Sequence, residues 1–217
     1  LPLELAARVV ADLCAGLHAA HAYTDETGRS LPIIHRDVSP HNVLVATDGL
    51  VKLTDFGIAK AADSGQRTPA STLKGKLSYM APEQVKDGSG AIDSRVDIFA
   101  AGLILYECLT LEQLFRRETE FATLKAILDD PVPRLSALRA DVPPAFDLIL
   151  DKALARDPEA RYATARDLRQ DLEQLIELLG KPATSADLAD WLNQTVRRAE
   201  ELGQLPAEMA LTPTGES

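Results

Sequence analysis

Cysteine, aromatic rings, clustered basic charge and long apolar runs are all scarce in this sequence, and each scarcity excludes a class of function. Two cysteines in 217 residues cannot build the multi-bridge framework that staples small secreted domains. Both, Cys14 and Cys108, sit inside apolar helical patterns and are expected as buried thiols in a reducing compartment. Lys and Arg number 23 against 33 Asp and Glu, for a formal charge of -10, and the basic residues do not cluster. A phosphate-backbone-binding surface, and with it a nucleic acid partner, is therefore not expected. The longest apolar run, Ile98 to Leu109, falls well short of the roughly 20 residues a membrane-spanning helix needs, so it reads as a buried helix and no membrane segment is expected in this chain. No basic stretch followed by an apolar run and a cleavage site opens the sequence, which argues against a signal peptide and for a cytoplasmic location, with an anchor outside this segment left open. The start at Leu1 rather than methionine reads as a piece of something longer.

What is present is enough apolar content, 46%, for a real core. Leu5, Val9, Val10, Leu13 and Leu17 recur at three- and four-residue spacing, predicting one amphipathic helix over Leu3 to His21. The period then changes: Val43 to Val45 and Leu50 to Thr54 are short β-prone runs around Thr47-Asp48-Gly49, a hairpin signal. From Asp55 to Ala81 no period is clear, and a loop of that length is usually functional. Helical patterns follow at Ser94 to Thr110, Glu118 to Asp129, Ala145 to Ala155 and Ala163 to Leu179, separated by Pro131 and Pro133 and by Pro143 and Pro144. Gly180-Lys181-Pro182 ends the last of these, and Ser185 with Asp187 is expected to cap a further helix through about Leu202. From Pro206 the chain is expected to fray.

Two segments joined by the hairpin carry chemistry: His35 to Asn42, reading HRDVSPHN, and Asp55-Phe56-Gly57. They set an Asp and an Asn on one loop facing a second Asp just past a paired strand. All are oxygen donors, which suit a hard cation such as magnesium that completes its shell with phosphates and water. A single loop Asp is more often turn or cap chemistry, but three donors in this order are hard to assign to turns. His18 and His21, three apart on one helix, lack the Cys or Glu partners of a zinc site, and His41 reads as a loop hydrogen-bonder.

On these residues the chain resembles the eukaryotic-type (Hanks-type) protein kinases, in their bacterial serine/threonine branch, over roughly Leu3 to Leu179. The resemblance implies a mainly α fold with a small β-hairpin region, the C-terminal lobe of a kinase without its N-terminal lobe. Residues 1–179 would form that lobe, with the catalytic loop at 35–42 and the activation segment at 55–83, and 180–217 a helical extension and tail. It implies ATP and Mg2+ as cofactors and proteins as substrates. Asp37 would accept the substrate proton, Asn42 and Asp55 would hold magnesium, and Leu44 would underlie the adenine. His35 and Phe56 would stack, Asp97 would anchor the catalytic loop backbone, and Glu83 of Ala81-Pro82-Glu83 would pair with Arg161. Leu44 and Phe56 are also plausible core residues.

Three features depart from the family's pattern. Its glycine-rich phosphate cover and strand lysine, which precede such a segment, do not occur. The lysine expected two residues after the catalytic aspartate is Ser39, and the threonine after Gly75 is Lys76. The two changes are reciprocal, so Ser39 and Lys76 are candidate catalytic residues that have exchanged a hydroxyl and an ammonium, with the Ser39 hydroxyl expected near the base. Arg36 suits pairing with a phosphate on the activation segment, where Thr68, Ser71 and Thr72 are candidate sites. Against phosphoryl transfer in an intact parent stands a pseudokinase or truncated lobe that acts as a protein-binding module.

Overall fold

The computed structural model describes residues 1–56, 76–86, 92–181 and 183–204. Helix α1 spans Leu3–His21, and its small residues Ala6, Ala7 and Ala11 are buried beside Val10, Leu13 and Leu17. A 3-10 turn at Pro40–Asn42 leads into strand β1, Val43–Val45, which pairs antiparallel with β2, Val51–Leu53. After a second 3-10 turn at Leu77–Tyr79 come α2, Pro82–Lys86, and α3, Arg95–Thr110. Helices α4 (Glu120–Asp129), α5 (Leu135–Leu138), α6 (Pro144–Ala153), α7 (Ala165–Leu179) and α8 (Ser185–Glu201) complete the described chain.

The centre is α3. A helix that is apolar all round belongs inside a core, and every residue from Val96 to Tyr106 is buried. Gly102 lets α6 close on it: a Cβ there would stand 2.9 Å from Leu154 Cδ2 and 3.0 Å from Ala153 Cβ. On the other side α1 packs against α7 and α3. Helix α7 shows the opposite pattern, a stripe of buried Leu168, Leu172 and Leu175 on an otherwise polar helix, started by a Thr164/Asp167 capping box and stopped at Gly180, φ 63°.

The structure thus has the mainly helical fold with one small hairpin that the sequence implies, and differs from the expectations in detail. Helices α2 and α5 were not expected, being too short to show a period. Thr184, not Ser185, caps α8, its side chain accepting from the Asp187 amide in a second capping box. Pro143 and Pro144 start α6 rather than merely separating helices, Pro144 sitting in the first turn where its missing N–H costs nothing. Cys14 is fully buried, and burial pushes its thiol up to about 12, but Cys108 is only half-buried. The expected fraying beyond Pro206 and the long segment after Phe56 lie outside the described residues.

Candidate active site

The catalytic-loop candidate is a sharp bend held from below. Arg36 adopts φ 63°, a left-handed conformation that costs a non-glycine residue energy. Asp97, at the start of α3 and 1% exposed, answers that cost: its carboxylate accepts from the amides of His35 and Arg36, each at 2.8 Å. The same carboxylate accepts from His21 Nε2 at 2.8 Å, so one end of α1 and one end of α3 meet under the loop. His35, fully buried, donates from Nε2 to the Thr54 carbonyl (2.9 Å) and accepts the Asp37 amide at Nδ1 (3.3 Å), which fixes its tautomer.

Beyond the bend, Asn42 ties two segments together. Its Nδ2 donates to the Asp37 carbonyl at 2.7 Å, and its own carbonyl accepts from the Thr54 amide at 2.9 Å. With the amide nitrogen committed to backbone, Oδ1 is the atom left for another ligand. Asp55 follows Thr54 directly, exposed and in a second left-handed bend, φ 56°. The three oxygen donors named from sequence are therefore brought to the two ends of one hairpin. Phe56 meets His35 with centroids 4.7 Å apart, but at 51°, a tilted contact instead of the expected stack. Leu44 is 51% exposed, which removes it from the core: strand alternation turns it away from half-buried Val43 and Val45.

Lys76 reaches across from the segment preceding Ala81, its Nζ 2.6 Å from Asp37 Oδ2, with side chains 26% and 13% exposed. Ser39 does not meet the expectation. It is 1% exposed and its Oγ has no hydrogen-bond partner among the described residues. Glu83 and Arg161 meet in a two-pronged ion pair at 2.6 and 2.7 Å. Arg36 and His41 are exposed. Gly57, Thr68, Ser71 and Thr72 lie outside the described residues.

Several residues of this region were not picked out from sequence. Gln84 bridges the two segments, accepting the Ala81 amide at Oε1 (2.9 Å) and donating to the Arg36 carbonyl (3.3 Å). Tyr79 donates to Glu107 and accepts from Gln113 Nε2 at 3.0 Å. Burial and the Glu107 carboxylate together hold the Tyr79 phenol well above its ordinary range. Neither cluster has a local sequence signal, since its members lie on elements far apart in the chain.

The Asp37 carboxylate, the Asn42 amide and the Asp55 carboxylate thus stand around one hairpin of a mostly helical fold. The family description "Protein kinase domain" matches residues 1–172, and the chain belongs to that family. It is 43% identical over 176 residues to the tyrosine-protein kinase MasK of Myxococcus xanthus, covering 81% of this chain and 27% of that protein. It is 37% identical over 182 residues to the serine/threonine-protein kinase PknL of Mycobacterium tuberculosis, covering 84% and 43%. Against the serine/threonine-protein kinase PknB of Mycolicibacterium smegmatis it is 38% identical over 175 residues, covering 79% and 26%. The chain therefore spans between about a quarter and less than half of these curated relatives.

Proposed function

We propose that this chain is the C-terminal lobe, residues 1–179, of a kinase that in the intact parent transfers the γ-phosphoryl group of ATP to serine or threonine of protein substrates. The observation that carries the reading is the bend at Arg36. A carboxylate that spends itself holding a strained backbone supports a function for the residue presented next, Asp37. In this reading Asp37 takes the proton of the acceptor hydroxyl as its oxygen attacks phosphorus, and Asn42 and Asp55 hold magnesium. Among the described residues no group of three or more His, Cys, Asp or Glu side chains forms a metal cage. Magnesium needs none, because it takes one or two protein oxygens and fills its shell with phosphate and water. Bound with ATP, the ion neutralises charge on the phosphates.

Lys76 supplies the ammonium that Ser39 does not. Its contact with Asp37 supports a resting position from which the flexible stem swings to the transferring phosphoryl. Leu44, exposed on β1, forms the floor under adenine, and the exposed Arg36 is the partner for a phosphate added to the activation segment. The phosphate cover and its lysine come from an N-terminal lobe, so the isolated chain is inactive, and the intact enzyme works in the cytoplasm on protein partners.

A second reading, a protein-binding pseudokinase, is favoured by the same Lys76 contact, which occupies the carboxylate an acceptor would approach. Radiolabelled transfer by the intact parent decides between them. Phosphoserine or phosphothreonine in the product, abolished by Asp37→Asn, is expected. Labelled tyrosine alone would refute the acceptor class, and no transfer by the unsubstituted parent would leave the second reading.

A further inference from the structure

We propose that α8, which lies beyond the residues matched by the kinase family, is a positioning element for the nucleotide-facing hairpin. The inference rests on the functional reading above for what the hairpin faces, but its contacts stand without it. Successive residues of a strand face opposite ways, so β1 turns Leu44 outward and Val43 and Val45 backward. Those two valines, with Val51 of β2, pack on a cluster formed by Leu5 and Val9 of α1 and by Ala183 and Leu188, against which Trp191 also packs. The back of the hairpin is thus shared between α1 and the start of α8.

The hairpin turn is fitted to α8 as closely as backbone allows. A Cβ at Gly49 would stand 1.8 Å from the Ser185 carbonyl oxygen and 2.9 Å from the Ala189 amide nitrogen. Only glycine permits that approach, and the same residue needs φ 79° for the turn. Yet the seat is narrow. Leu188 is the buried residue of α8, and a cavity of about 370 Å3 remains beside it, lined by Val43, Val45, Ile104, Cys108, Trp191 and Leu192. A helix held by so little apolar burial forms a local unit that opens below the free energy of the whole lobe.

What α8 holds matters because of what the hairpin carries at its ends. Asn42 directly precedes β1 and Asp55 follows β2 by two residues, and their spacing is set by the Thr54 amide on the Asn42 carbonyl. Loosening the back of the sheet moves Leu44 and both oxygen donors together. Asp37 is reached through the Asn42 side chain, which donates to its carbonyl at 2.7 Å.

Hydrogen exchange on this chain, without nucleotide, tests the contact. Trp191→Ala is expected to speed exchange at the Asn42, Ala46 and Thr54 amides about tenfold, equivalent to roughly 1.4 kcal/mol of local opening, with α1 and α3 unchanged. Trp191→Phe should restore most of the protection. No change at those amides, or an equal rise in α1 and α3, overturns the proposal; if the alanine variant unfolds, Trp191→Leu must show a smaller rise at the same amides. In the intact parent the alanine variant should raise KM for ATP and leave KM for the protein substrate alone. An opened hairpin with an unchanged ATP KM also overturns the role. Absence of transfer by the unsubstituted parent would instead overturn the kinase reading, and the exchange result would stand.

Discussion

Replacing Arg161 with alanine should be among the most destabilising single changes in this lobe. The arginine side chain is fully buried and all five of its N–H groups are used: two on Glu83, one each on the carbonyls of Ala155 (2.6 Å), Arg95 (3.1 Å) and Arg156 (3.2 Å). Its guanidinium also lies 4.8 Å from the Phe99 ring. Alanine strands the Glu83 carboxylate and three carbonyls at once. Breaking a buried pair costs about 3 to 5 kcal/mol. Glu83 retains 23% side-chain exposure, which lets water reach it, so the lower part of that range, about 3 to 4 kcal/mol, applies. For a domain of this size that is a fall in melting temperature of roughly 6 to 16 °C, and a large share of the roughly 5 to 15 kcal/mol that holds such a domain together. Thermal unfolding followed by circular dichroism would measure it. Glu83→Gln keeps an oxygen for the arginine but leaves the fully buried Arg161 guanidinium without its counter-charge, so it too should lower the melting temperature. A melting temperature for Arg161→Ala within about 2 °C of the unsubstituted chain, a shift of under roughly 1 kcal/mol, would refute the argument.

Calorimetry on the isolated chain should find only weak Mg-ATP binding and a radiolabel assay no transfer; tight magnesium-dependent binding would show that the missing phosphate cover matters less than argued. In the intact parent, Lys76→Thr should lower turnover about a hundred- to a thousandfold, the usual loss of one preorganised charge, and Ser39→Lys should recover part of it in the double variant. A double variant no better than the product of the singles would end the exchange hypothesis. Burial raises Cys14 from an ordinary 9.0 to about 12 and Cys108 to about 11. Above pH 9 the unfolded chain releases these protons first, so the stability from neutral thiols is complete below pH 9 and is lost as pH rises toward 12. Melting temperature should fall along that limb, and Cys14→Ala should flatten it; identical limbs would contradict the burial.

The elements that sequence alone located are those whose packing is written in their own period. Helix α7 alternates buried Leu168, Leu172 and Leu175 with charge, and α3 carries no charged residue from Ile98 to Tyr106, so each announces its environment. The HRDVSPHN and Asp55-Phe56-Gly57 segments stood out through their resemblance to the kinase family's motifs, not through any period of their own. Relations between distant segments were not. Nothing local told that His21 would end under Asp97 or that Gln84 would reach the Arg36 carbonyl. Ser39 was misjudged for the same reason: an extended dipeptide says which side a residue shares with its neighbour, but not whether that side is solvent or core. The docking of α8 was invisible as well, because it depends on a glycine in a turn more than 130 residues earlier.

The pairing of α1 with α7 has a consequence for how the chain is made. Helix α1 is made before the other elements described above, with Leu5, Val9, Leu13 and Leu17 on one face, yet the helix that covers it ends only at Leu179. At about 5 to 20 residues per second, synthesis from His21 to Leu179 takes on the order of ten to thirty seconds. During that interval an apolar stripe lacks its cover, and contacts so distant in sequence also close slowly. Nascent chains released before Ala165 are therefore expected to sediment or to be held by chaperones, and those released after Leu179 to stay in solution.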